Sequence, residues 1–441
     1  MISLRLLQEL EQQNPWLAKK SASEDNRSSL MATHPALVIP HYRDRLQFET
    51  LILPEWDHLW TILIGPRRSG KTTLGKFLCH SLLTKKRFND LLYLNCDLEE
   101  VRTWLKSPYF IQEAIDYFHL TKPILFIDEV QRLDSPGLML KTLADLNLPI
   151  KMIASGSSQL ELKSKVQEHL TGRHFSSLVL PLSFTEWDAA QHLEELLIYG
   201  SYPQIIASSM KELLLGQLYQ DYINKDIIET LKLRQTDIFL KLLSLVAHSS
   251  GQLVNYSQFA TDCQVSVTLI KHYLSIAQQT YVIAELTPFV GNKRAELTSN
   301  PIFYFIDNGF RNYALRNFTD PSSRADLGLL VESLVFQEIY KYISQRFLNY
   351  SIHYWRTKSG AEVDFVIRRN DDAILPIEVK YRNTSTPQVS RGYRSFLQAY
   401  QPQNAIVITK NLIAKEKIEN VNVHFIPLEK LDTIFPFIAN L

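Results

Sequence analysis

One stretch constrains this chain more than any other: Trp60-Thr-Ile-Leu-Ile-Gly-Pro-Arg-Arg-Ser-Gly-Lys-Thr-Thr. It reads as a buried strand, a loop bounded by Gly65 and Gly70, and a helix whose apolar stripe is Leu74, Phe77, Leu78 and Leu82. The two glycines allow successive backbone N–H groups to turn toward phosphate oxygens. Lys71 supplies a positive charge for the β- and γ-phosphates, and the Thr72 hydroxyl can ligate magnesium. The helix start adds its own partial positive charge. Gly65, Pro66, Arg67, Arg68, Ser69, Gly70, Lys71, Thr72 and Thr73 are therefore the expected contacts to ATP.

Ile124-Leu-Phe-Ile-Asp-Glu supplies the complementary half. A buried strand there would deliver Asp128 to its carboxyl end, where open α/β sheets place ligands. Asp128 would hold Mg2+ through its water shell, and Glu129 would orient and deprotonate an attacking water. The next apolar run, Ile150–Ala154, leads into Ser155-Gly-Ser-Ser, so Ser155 and Ser157 are candidates for sensing the γ-phosphate or for capping a helix. Arg173, in Leu170-Thr-Gly-Arg, reads either as an arginine finger acting across a subunit interface or as a member of a structural ion pair.

At 441 residues the chain exceeds one ordinary core, and two or three domains are expected. Lys+Arg at 47 against Asp+Glu at 46 leaves almost no net charge, so any basic surface for nucleic acid must be local. Cys79, Cys96 and Cys263 are scattered, which argues against a disulfide framework or a zinc site and fits a reducing, cytoplasmic setting. Charge interrupts the N-terminal apolar residues too soon for a secretory signal, and no apolar run is long enough to span a bilayer.

The fold class expected is α/β. Residues 1–54 read as an N-terminal helix and lead-in, and 55–195 as an ATPase core. In the core, Trp60–Ile64, Leu91–Asn95, Ile124–Ile127, Ile150–Ala154 and Ser177–Leu182 form parallel strands with crossover helices. Residues 196–318 turn mainly helical. Ile238–Ala247, Tyr256–Asp262 and Ser266–Gln278 read as three helices, followed by strands Tyr281–Leu286 and Ile302–Ile306 around a polar excursion with Lys293 and Arg294. That order is helix–helix–helix–wing. Its third helix offers only Lys271 and His272 as basic groups, so DNA binding and protein packing both remain open for it.

Residues 319–441 return to α/β, with strands at His353–Tyr354, Val363–Arg368, Leu375–Val379, Ala405–Ile408 and Val423–Ile426. Glu332 sits on a helical stripe, Asp364 in Ala-Glu-Val-Asp-Phe, and Glu378 and Lys380 in Pro-Ile-Glu-Val-Lys. Strand alternation places Glu378 and Lys380 on one face. Asp364 and Glu378 would share a divalent metal with Glu332, and Lys380 would position or help deprotonate a water. The bland alternative is a strand with one Glu–Lys pair and an ordinary buried Asp.

Taken together, these motifs resemble the AAA-type ATPases of bacteria and archaea that carry a C-terminal domain of unknown function. The matching residues are Gly-Pro-Arg-Arg-Ser-Gly-Lys-Thr-Thr at 65–73, Phe126-Ile-Asp-Glu-Val-Gln-Arg, Ser155-Gly-Ser-Ser and Leu170-Thr-Gly-Arg. Gly200-Ser-Tyr-Pro resembles the family's Gly-Gly-Tyr-Pro turn with one glycine replaced, and Lys225 stands where the family often has arginine. The Glu332, Asp364, Glu378, Lys380 set resembles the PD-(D/E)xK nuclease core, with Gln388 as an accessory on the helix that follows. The resemblance implies an ATP- and Mg2+-dependent, oligomeric enzyme whose winged-helix and nuclease-like regions act on DNA, branched DNA included. The alternative is an ATP-dependent switch or scaffold whose nuclease fold only binds partners.

Overall fold

The computed structural model describes residues 4–17, 44–156, 172–229, 235–289 and 300–441. It contains two compact units, residues 1–180 and 181–441. Ser157 and the Lys293-Arg294 excursion lie outside the described residues, as does the side chain of Lys225. Among the described residues no helix is long and apolar enough to cross a membrane. Cys79, Cys96 and Cys263 are free and buried.

The first unit is built on a five-stranded sheet in the order β2-β3-β4-β1-β5. Its strands are β1 (Trp60–Ile64), β2 (Asp90–Asn95), β3 (Pro123–Asp128), β4 (Lys151–Gly156) and β5 (His174–Leu178). Every pairing is parallel. The uniform burial of β3 and β4 matches a sheet covered on both faces. The fifth strand was expected at Ser177–Leu182 and lies earlier. Its sequence, His-Phe-Ser-Ser-Leu, is half polar because β5 is an edge, and the apolar residues that follow serve the loop behind the phosphate site. Helix Lys71–Thr84 crosses the sheet with Gly75 against the Phe126 ring; a Cβ there would lie 2.4 Å from the ring.

The opposite edge, β2, is closed by the N-terminal segment. After helix Leu4–Gln13, the Asn14 side chain pairs with both backbone groups of Tyr93, at 2.6 Å to its N–H and 2.9 Å to its C=O. The Trp16 indole donates to Leu91 O at 2.8 Å, and Gln13 Oε1 accepts from Asn95 N–H at 3.1 Å. Side chains thus satisfy the groups that a further strand would otherwise take.

The second unit centres on an eight-stranded mixed sheet, β12-β13-β11-β10-β9-β8-β6-β7. Its strands are β6 (Ile283–Pro288), β7 (Ile302–Phe305), β8 (Tyr350–Arg356), β9 (Glu362–Arg369), β10 (Ile374–Lys380), β11 (Asn404–Thr409), β12 (Ala414–Ile418) and β13 (Val421–Pro427). The three expected helices appear as Thr236–His248, Tyr256–Cys263 and Val267–Gln279, the last two capped by Asn255 and Ser266. The hairpin after them does not stand alone: Thr287 and Pro288 of β6 pair with His353 and Tyr354 of β8, so it extends the C-terminal sheet. Strand β12 was not anticipated. Gln388 precedes helix Arg391–Tyr400 rather than lying on it.

Inside this unit, helix Leu327–Gln345 anchors a buried polar network. Lys341 donates to Leu182 O, Ser201 Oγ and Glu338 at 3.0, 3.0 and 2.8 Å, and Glu338 accepts from Phe184 N–H. Asp307 accepts from Ser201 N–H at 2.7 Å. Burial pushes the carboxyl groups of Glu338 and Asp307 up. Lys341 opposes that shift for both, so the charges are compensated rather than isolated.

Candidate functional site

The phosphate loop follows β1. Gly65 (φ 151°) packs so closely on the next strand connection that a Cβ would sit 2.1 Å from Val179 O, and Gly70 (φ 99°) opens the helix in left-handed backbone. Lys71 is buried, its Nζ donating to Gly65 O at 3.0 Å and Pro66 O at 2.7 Å. No side chain caps the helix and no acidic residue stands in its first turn. The Ser69 hydroxyl is buried and unpartnered. An uncapped helix start, a buried ammonium and an orphaned donor make a receptor for an anion, and the residues present fit the phosphates of ATP. Gly65, Pro66, Ser69 and Lys71 line this turn; Arg68 is exposed, Arg67 half-buried, and Thr72 and Thr73 open the helix.

Sequence reasoning missed Arg45. It is buried, and its guanidinium donates to Ser69 O at 3.3 Å and to Leu180 O. It braces the loop from behind.

Asp128, at the end of β3, is 3 % exposed and gathers three hydroxyl groups. Thr72 donates to Oδ1 at 3.0 Å, Ser155 also donates to Oδ1, and Tyr93 donates to Oδ2 at 3.0 Å. Thr72 and Asp128 therefore stand together, as magnesium ligation requires of them, and a bound ion would add charge stabilisation on the phosphates. Glu129 follows in left-handed backbone (φ 55°), which turns its side chain away from the strand line. Its N–H donates to Ser155 Oγ at 3.2 Å, and its carboxylate accepts from Gln131. Ser155, the penultimate residue of β4, joins Asp128 to Glu129. Burial and Asp128 push the Tyr93 phenol up, and the neighbouring Cys96 thiol rises to about 12 by burial and the same carboxylates.

Arg173 stands apart. Its carbonyl accepts from Trp60 N–H at 3.1 Å, which places it by the amino ends of β1 and β5, away from the strand ends that carry the loop. The exposed guanidinium pairs with Asp145 at 2.8 Å.

In the second unit, the sheet and helix Leu327–Gln345 bring Glu332, Asp364, Glu378 and Lys380 into one cluster. Glu332 Oε1 accepts from the Tyr304 hydroxyl at 2.5 Å, and Gly251 covers it, since a Cβ there would lie 2.8 Å from the same oxygen. Asp364 Oδ2 accepts from Val379 N–H at 2.7 Å. Lys380 reaches Glu378 Oε1 at 2.9 Å, and Glu378 Oε2 is buried without a partner. Burial, then Asp364, pushes Glu332 up to about 8; burial pushes Asp364 up to about 6 against the pull of Lys380. Burial works against the charge of Lys380, but the carboxylates of Asp364 and Glu378 hold it above its ordinary value. The four residues lie within reach of one another's charges. Glu332 Oε1 and Asp364 Oδ2 accept from protein donors, whereas Glu378 Oε2 has none, and among the described residues no three Asp, Glu, His or Cys side chains are arranged to hold a metal ion.

A parallel sheet with a phosphate loop, an acidic strand end and a polar residue on the intervening strand defines a P-loop nucleotide-binding module. Residues 57–187 match the family model described as "AAA domain". Residues 190–321 and 327–431 match two domains of unknown function, DUF8612 and DUF4143. The chain is similar to an uncharacterised protein of Haemophilus influenzae, 22 % identical over 83 % of this chain and 92 % of that one. It is also similar to one of Mycobacterium tuberculosis (24 %, 76 % and 73 %) and one of Methanocaldococcus jannaschii (22 %, 81 % and 83 %). Among solved structures, it is similar to AMPPCP-bound DnaA from Aquifex aeolicus at 10 % identity and a TM-score of 0.28, covering 56 % of this chain and 92 % of that one.

Proposed function

We propose that this protein is an ATP-hydrolysing AAA enzyme that acts on DNA through its second unit. The observation that carries the ATP reading is the convergence of Thr72, Ser155 and Tyr93 on Asp128, directly beside Glu129. Lys71 and the helix start bind the phosphates, Thr72 and Asp128 hold Mg2+, and Glu129 takes a proton from the attacking water. Arg173 is exposed and paired with Asp145, so an arginine-finger role toward a neighbouring copy requires that pair to open.

The DNA reading rests on the three-helix and hairpin order of 236–305 and on the Lys380 cluster beside it in the same unit. The experiment is ATP turnover with and without linear, single-stranded and four-way-junction DNA, beside Lys71→Ala. Stimulation by DNA that Lys71→Ala abolishes is expected; DNA that neither binds nor stimulates sinks the reading. The occupied oxygens of Glu332 and Asp364 favour a second reading, in which the nuclease-like cluster is a binding module of an ATP-dependent switch. Mg2+- or Mn2+-dependent cleavage lost in Asp364→Ala and Lys380→Ala would reject it.

A further inference from the structure

We infer that Tyr93 is a positioning residue of the nucleotide site, its hydroxyl fixing the carboxylate of Asp128 toward Thr72 and the magnesium; this rests on the ATP reading above. An aspartate's terminal torsion is broad and two-fold, so a carboxylate held at one oxygen still swings. Here both oxygens are held. Thr72 and Ser155 take Oδ1, and among the described residues only Tyr93 takes Oδ2, at 3.0 Å.

Tyr93 is itself held from every side. Its ring lies against Phe126 at 5.2 Å between centroids, and Lys76 Nζ stands 5.1 Å from the ring. Its peptide is clamped by the Asn14 amide on the free edge of β2. Packing against Phe126 requires a ring but no hydroxyl, so phenylalanine would serve a purely structural role equally well. Among the described residues the hydroxyl bonds only Asp128. Partners of this outer kind orient a metal-side carboxylate, and their loss commonly weakens metal affinity or activity by ten- to a hundred-fold.

The test is Tyr93→Phe in the full chain, titrated with a fluorescent ATP analogue in Mg2+ and in EDTA, with thermal melting as a check on folding. Affinity in EDTA is expected to match wild type within about twofold, affinity in Mg2+ to weaken about tenfold, and kcat to fall by a similar factor. Equal Mg2+ enhancement in both proteins overturns the inference. So does a parallel loss in Mg2+ and EDTA, because that marks a structural role alone. If wild type binds the analogue in neither buffer, the ATP reading fails and this inference falls with it; if wild type binds and the variant is indistinguishable, only this inference fails.

Discussion

The backbone N–H of Glu129 donates to the hydroxyl of Ser155 at 3.2 Å, while that same hydroxyl donates to the carboxylate of Asp128. One buried serine on β4 therefore sets both acidic residues at the end of β3. Ser155→Ala removes both bonds with almost no change in volume. It is expected to lower ATP turnover about ten- to a hundred-fold while leaving nucleotide affinity within a few-fold. Steady-state ATPase rates beside equilibrium nucleotide binding check this; equal losses in both would show that the serine supports only the fold.

Glu129→Gln keeps the shape of the side chain and removes the base. Proton transfer by a positioned group contributes roughly 10²- to 10⁴-fold, so turnover is expected to fall by about that range with nucleotide still bound. Single-turnover hydrolysis of prebound ATP separates the step from product release. Retention of wild-type turnover would assign the base elsewhere.

Gly200 and Asp307 are mutually exclusive in space with any side chain at 200. A Cβ there would lie 2.0 Å from Asp307 Oδ1, and the backbone at φ 73° is left-handed. Gly200→Ala must displace a carboxylate that accepts from Ser201 N–H and Phe310 N–H. The expected cost exceeds about 2 kcal/mol, since strain and a broken buried network act together. Urea unfolding followed in the second unit measures it, and a loss below about 0.5 kcal/mol would mean that Asp307 can move freely.

The phosphate loop was legible because its chemistry demands fixed residues at fixed spacing, all within nine positions from Gly65 to Thr73. Tyr93 and Arg45 reach the same site only through tertiary contacts, and nothing in their own neighbourhoods marks them. The replaced glycine at Ser201 is a similar case: its hydroxyl accepts from Lys341 at 3.0 Å, a partner 140 residues away. The order Glu332, Asp364, Glu378, Lys380 was readable, yet the donors that occupy those carboxylates, Tyr304 and the Val379 N–H, were not. Strand β12, Ala-Lys-Glu-Lys-Ile, escaped because a charged, exposed edge strand carries no apolar alternation. The union of β6 with β8 is a pairing across distant sequence, which local periodicity cannot encode.

Lys151 gives the ATPase unit a pH dependence of known sign. It is 2 % exposed at the start of β4, and its ammonium donates to Trp56 O at 2.7 Å and Leu59 O at 2.6 Å. Burial lowers its value from 10.5 to about 8. Between those limits the unfolded chain binds the proton that the folded chain releases, so this residue's contribution to stability rises with pH from about 8 to 10.5. Below about pH 8 both states are protonated and the contribution is flat. Lys151→Met removes the titration while keeping an unbranched stem. The stability of wild type relative to Lys151→Met is expected to stay constant between pH 6.5 and 7.5, then to increase by up to about 3 kcal/mol toward pH 10. The phenol of Tyr93 and the thiol of Cys96, both pushed upward, act oppositely at high pH but are common to the two proteins. Urea melts of each protein across that range read the difference. A difference that stays flat to pH 10 would show that the two carbonyls keep the buried ammonium fully charged.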